Sequence, residues 1–182
     1  MSADPFSSSL PQEPVNMLPR LSLSIFSLCL LLQYQPLLAD GPASDVPELM
    51  VLKQFVGNWE GKDPDGQKTV SETEWTLNGR FIKQEYSTGE KTKGMIMRGY
   101  SLNENKYVMT IFDSSGTAIT MSGVWNPETK TLTCSGDLAD GIKMTVKSSF
   151  PNPDIEAYKI IVTVDGDVVN EFTGENHRVK SK

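Results

Sequence analysis

The sequence predicts an all-β protein: a closed, antiparallel, up-and-down β-barrel of about ten strands with a short helix ahead of it. Three observations predict it. Turn-forming residues recur about every ten positions from Pro64 to Gly166. Several of the runs between them alternate apolar and polar residues with the two-residue period of a half-buried strand. The connections are short, which joins sequence neighbours as antiparallel hairpins, whereas parallel neighbours need a long crossover. Such a meander has two exposed edges and one apolar face. Closing it pairs the first strand with the last and turns the apolar face inward, whereas a two-sheet sandwich would need longer Greek-key connections.

The N-terminal part stands apart from this pattern. Residues 1–16 are rich in Ser and Pro and lack apolar periodicity, which reads as a disordered extension. Met17-Leu18-Pro19-Arg20 then supplies a short basic start, Leu21 to Leu32 an apolar core, and Gln33 to Ala39 a more polar exit ending in a small residue. That three-part pattern is that of a secretory signal peptide, and its apolar stretch is too short to span a bilayer. Cleavage is expected after Ala39, with no stable membrane insertion afterwards and a periplasmic or extracellular destination. Cys29 lies inside the apolar run behind Leu28, unlike a lipoprotein processing site. Residues 1–39 are thus read as extension and leader, 40–45 as a linker, and 46–182 as one barrel domain.

The chain has 182 residues and a formal net charge of -6, with no cluster of Lys and Arg, so nucleic acid is not an expected partner. Loss of the leader leaves Cys134 as the remaining cysteine and no internal disulfide. A domain of this size can bury a core without one.

In chain order, Leu49, Leu52, Phe55 and Val56 fall at helical spacing, with Pro47 near the first turn and Gly57 as a stop, so Val46 to Val56 reads as one short helix. Gly57-Asn58-Trp59-Glu60-Gly61-Lys62 follows as a first strand, in which a large aromatic between glycines brings bulk into a core while backbones approach closely. Turns then fall at Pro64-Asp65-Gly66, Asn78-Gly79, Gly89 to Lys93, Asn103 to Asn105, Asp113 to Gly116, Asn126-Pro127, Asp140-Gly141, Pro151 to Asp154 and Asp165-Gly166. Alternation places Leu132, Cys134, Gly136 and Leu138 on one inward row, with Ile142, Met144, Val146 and Phe150 on the next and Tyr158, Ile160, Val162 and Val164 on a third. Cys134 is accordingly expected to be buried and unreactive. From Met95 to Trp125 apolar residues occupy both parities, so the helix or a second copy of the chain, as a homodimer, would cover the outer face there.

The Gly57-x-Trp59 pattern after a short helix resembles the N-terminal signature of the calycin barrels, lipocalins included. In that superfamily a basic side chain near the C-terminus commonly packs over this Trp and closes the barrel floor; here it would be Arg178, as a cation–π contact between strands adjacent only after closure. From Leu49 to Val179 the chain more closely resembles the mainly bacterial domain of unknown function 1579 family. The resemblance rests on LKQFVGNWEGK, LNGRFIKQEY, GMIMRGYSLNENKYVMTIFDSSG and GVWNPETKTLTCSGD. It departs at Ser101, where members often carry an aspartate, and at GENHRVK, in place of a more aromatic ending. It implies a calycin-type barrel and no established activity. The nitrobindins, a distant group of similar barrels, hold haem through a C-terminal His. Here that would be His177, the only histidine, but if Arg178 points inward its neighbour points out.

No catalytic set emerges. There is no Gly-x-Ser-x-Gly elbow, and alternation turns Glu72 and Glu74 away from the face of Trp75. Asp63-Pro64-Asp65-Gly66 and Asp165-Gly166-Asp167 read as hairpin turns and not as calcium loops. Methionines, by contrast, recur across the strands, and their unbranched, polarizable chains suit an adaptable cavity as well as ordinary gap-filling. A barrel of ten strands also encloses more volume than eight, whose interior side chains just fill. The reading is a non-catalytic barrel without a cofactor that binds a small apolar molecule, lined by Met97, Tyr107, Met109, Met121 and Met144 and closed by Gly57, Trp59 and Arg178. A filled barrel acting as an envelope or partner-binding module, and haem binding at His177, are the alternatives.

Overall fold

The computed structural model describes residues 41–180 apart from Ser44 and Lys91. The leader, its cleavage point and Cys29 lie outside those residues. The strands are β1 (Gly57–Lys62), β2 (Lys68–Thr76), β3 (Phe81–Thr88), β4 (Thr92–Ser101), β5 (Lys106–Asp113), β6 (Ala118–Asn126), β7 (Thr131–Ala139), β8 (Ile142–Asn152), β9 (Ile155–Val164) and β10 (Asp167–Arg178). Each pairs antiparallel with its sequence neighbours, and β10 returns to β1, so the ten strands form a closed barrel as the turn spacing predicts. The closing register sets Trp59 opposite Arg178, Glu60 opposite His177 and Gly61 opposite Asn176. Both central residues of the last hairpin, Asp165 and Gly166, have positive φ, the twist that a two-residue loop requires.

The short helix is a 3₁₀ helix, Pro47–Phe55. Its buried residues Leu49, Leu52 and Phe55 recur every third position, which in a helix of three residues per turn is a single ridge. That ridge faces the end of the barrel and not its outer wall. The Tyr107 hydroxyl donates to the Glu48 carbonyl (2.9 Å), and Phe55 meets Phe150 edge-on with ring centroids 4.8 Å apart. The helix therefore plugs one end, and Phe112 and Val124 on the outer face of the middle strands stay exposed. Before the helix, the Ala43 amide donates to the Gly79 carbonyl (3.0 Å), so the stretch read as a linker is pinned to the β2–β3 turn.

Two expectations about side-chain direction are corrected. Leu138 is exposed, because the β7–β8 register shifts between Asp137 and Ala139 and the bulge breaks the alternation that placed it inside. Met97 pairs with Lys83 and Thr110, on the outward parity, so it lines the wall's exterior and not the lumen. Glu72, Glu74 and Glu85 do lie outside, where Lys83 bridges Glu74 (2.9 Å) and Glu85 (3.1 Å).

Candidate functional site

The closed end is built around the last carbonyls of the 3₁₀ helix, which have no partner within it. The Trp59 indole N–H donates to the Phe55 carbonyl (2.8 Å), and Arg178 donates from Nη2 to Gln54 (3.0 Å), from Nη1 to Val56 and from Nε to Pro153 (2.9 Å). The Arg178 guanidinium carbon sits 4.1 Å from the centroid of the Trp59 ring. One arginine from the last strand thus stacks on the first strand's Trp and caps the helix. Gly57 makes this possible: its φ of 123° is costly for other residues, and a Cβ there would collide with Arg178 Nη1. His177, one residue away, is exposed on the outer face, as the strand parity predicts, and lies 3.7 Å from Glu175.

Above this floor the barrel encloses a cavity of about 430 Å³ that reaches the β1–β2 turn at Asp63 and Pro64. Above the floor its wall is largely apolar, formed by Ile96, Ile111, Val146, Ile160, Val162 and Phe172 with Met109 and Met144, while Asp63, Thr69, Thr88 and Asn170 add polar groups toward the open end. Two tyrosines keep it open. Added Cβ atoms at Gly94 and Gly174 would run into the rings of Tyr86 and Tyr158, which lie over these glycines along the wall. Tyr158 continues across Gly174 to donate to the Lys62 carbonyl (3.1 Å). Burial raises the pKa of both tyrosines, Tyr86 and Tyr158.

The lower wall is polar. Arg98 is 6% exposed and donates from Nη1 to Gln84 Oε1 (2.6 Å); Gln84 in turn donates to Ser71 Oγ (2.9 Å). The guanidinium lies 4.7 Å from the centroid of Phe55, so it rests on the helix plug. Burial pulls the Arg98 pKa down, against the field of Glu156, which favours the charged form. Glu156 is likewise 6% exposed and accepts from Asn176 Nδ2 (3.0 Å). Ser148 completes the belt, also buried.

Of the residues picked out as lining, Met109 and Met144 face the cavity. Tyr107 and Met121 point inward but are buried at the closed end, in the packed cluster with Leu49, Leu52 and Phe55. Reading apolar rows alone missed Arg98, Glu156, Gln84 and Ser148. The signal for two of them was present: Glu156 continues the inward row Tyr158, Ile160, Val162 two residues back, and Ser148 stands between Val146 and Phe150. Burial pushes the Cys134 thiol up to about 11, consistent with a buried, unreactive side chain. Among the described residues no three His, Cys, Asp or Glu side chains converge as a metal site.

A family model described as a protein of unknown function, DUF1579, matches residues 46–167. No curated protein matches the chain. Among solved structures, a protein of unknown function from the DUF3598 family of Nostoc punctiforme is similar over 74% of this chain and 100% of that chain, at 10% identity and a TM-score of 0.22. A superposition that poor carries no argument.

Proposed function

The chain belongs to the DUF1579 family of proteins of unknown function, and we propose that this member is a non-catalytic container which binds a small amphipathic molecule inside its barrel. One observation carries the reading: a cavity of about 430 Å³, walled largely by apolar side chains over a buried polar belt and closed at one end by a dedicated plug. That volume lies within the roughly 300–1,000 Å³ of small-molecule sites, and an apolar wall with a few convergent polar groups is their usual composition. Met109 and Met144 in the wall can repack around different chains. The lumen offers the aliphatic hydroxyls of Thr69, Ser71, Thr88 and Ser148, but the only histidine is on the outside, so no imidazole is placed to activate them. The leader-like pattern of Met17 to Ala39 supports an exported setting, where a carrier or scavenger of poorly soluble molecules would work.

Native mass spectrometry of the purified protein, with solvent extraction and titration of the fluorescent apolar probe phenylnaphthylamine, tests this. A retained lipophile, or probe fluorescence that a competing amphiphile displaces, is the expected result. A protein that carries nothing and binds no probe would overturn the reading.

A further inference from the structure

Resting on that reading, we infer that the ligand's head group descends to the barrel floor and carries both an anionic oxygen group, seated on Arg98, and a hydrogen-bond donor, seated on Glu156. A hydroxylated fatty acid is the simplest molecule of this class.

The inference starts from two buried charges that the fold leaves incompletely matched. Arg98 Nη1 donates to Gln84, while Nε and Nη2 donate to no group among the described residues. Glu156 Oε2 accepts from Asn176, while Oε1 accepts from no group among them. The two side chains do not form an ion pair with each other. Topology explains why: β4, which carries Arg98, and β9, which carries Glu156, stand five strands apart in either direction around the ring, on opposite walls. A cation and a carboxylate therefore face one another across the lower lumen, and both border the cavity.

The free Arg98 donors and Glu156 Oε1 are not sealed inside the wall, where Thr73 Oγ1 alone among the described residues is buried without a partner; they open onto the cavity, and a group that enters it must match them. Apart from the field of Glu156 across the lumen, the Phe55 ring and one amide oxygen are weak compensation for a guanidinium that is 6% exposed. The cavity beside it supplies room for the missing partner. A carboxylate fits the planar donors left on Arg98. Such an anion alone would face Glu156 across the floor, whereas a neighbouring hydroxyl gives that carboxylate a donor and completes both ends. The apolar wall above then takes the chain, with the tail toward the β1–β2 turn.

The test is displacement of phenylnaphthylamine from the full-length protein by β-hydroxydodecanoate, dodecanoate and dodecanol. The expected order of affinity is hydroxy acid, then acid, then alcohol, with about tenfold or more between the hydroxy acid and the alcohol, since hydrogen bonds to charged groups are the strong ones. Arg98→Met should erase the preference for acids over dodecanol, and Arg98→Lys should retain part of it. Glu156→Gln should reduce the advantage of the hydroxy acid over dodecanoate. Equal affinity for all three, or a preference for dodecanol, would overturn the head-group assignment while leaving binding in the lumen intact. Failure of all three to displace a bound probe would likewise overturn the head-group assignment, whereas a protein that binds no probe and retains no lipophile would sink the container reading itself. The wild-type ranking decides the matter even where a variant does not fold.

Discussion

The two ends of this barrel are made from the same ten strands and the same alternation, yet they do different things. At the closed end Leu52, Ile82, Met121 and Cys134 are all at 2% exposure or less, and Trp59 and Phe150 pack among them. Toward the open end the inward residues Tyr86, Tyr158, Val162 and Phe172 are only half-buried, around empty volume. The difference arises less from hydrophobicity than from what fills the axis. The 3₁₀ helix, with its ridge of Leu49, Leu52 and Phe55, occupies one end and nothing described here occupies the other. The closed end holds the fold, and the open end leaves the volume in which the proposed ligand would sit.

The sharpest way to break this comparison is Trp59→Ala. Emptying the site of a buried aromatic costs about 3–5 kcal/mol. It also leaves Arg178 without its ring and the Phe55 carbonyl without its donor. Denaturant unfolding should report that loss. A change below about 1 kcal/mol would show that the floor does not carry the stability assigned to it.

Next in size is a pH effect centred on Cys134. Burial raises its thiol to about 11, against about 8.5 for a thiol in the unfolded chain. The native state therefore keeps its proton while the unfolded state releases one. Stability from this group is complete below about pH 8.5 and is lost as pH rises toward 11. Between pH 8 and pH 10 the loss should be about 1–2 kcal/mol. Cys134→Ala, whatever its own cost in packing, should flatten that slope. An unchanged slope would place the alkaline sensitivity elsewhere.

Phe172→Ala supplies the counterpart at the open end. The ring is half-buried beside Tyr158, with centroids 5.6 Å apart, and borders the cavity. Its loss should cost less than about 1 kcal/mol because little collapses around it, while phenylnaphthylamine affinity changes measurably. Destabilisation as large as that of Trp59→Ala would erase the distinction between the two ends.

How far the sequence made this legible follows the same division. The barrel, its nine turns and the Trp59–Arg178 closure could be read because turn residues, strand period and a stacked charge are local signals with one geometric solution. The lumen was harder. Met95, Ile96 and Met97 on β4, and Val108, Met109, Ile111 and Phe112 on β5, occupy both parities, so only the pairing of Arg98 with Ile82 and Met109 decides which side of β4 and β5 faces in. Leu138 was misassigned because a bulge leaves no trace in alternation. Arg98 and Glu156 escaped notice because polar residues on an otherwise apolar row look like solvent-facing ones until both walls are in place.

Thr73 gives the smallest expected effect and tests the closed end's finish. Its hydroxyl is buried, 3% of the residue is exposed, and Oγ1 has no hydrogen-bond partner among the described residues. It lies on the inward face between Gly57 and Gln84, outside the set of residues that border the cavity. A buried hydroxyl without a partner costs free energy that an apolar group of the same shape does not, and valine is at least as well suited to a strand. Thr73→Val should therefore leave stability unchanged or raise it by up to about 1 kcal/mol, with probe binding unaffected. A loss of about 1 kcal/mol or more would mean that the hydroxyl is hydrogen-bonded in solution, and so that water or ligand reaches beneath the Gln84–Arg98 belt into the packed floor.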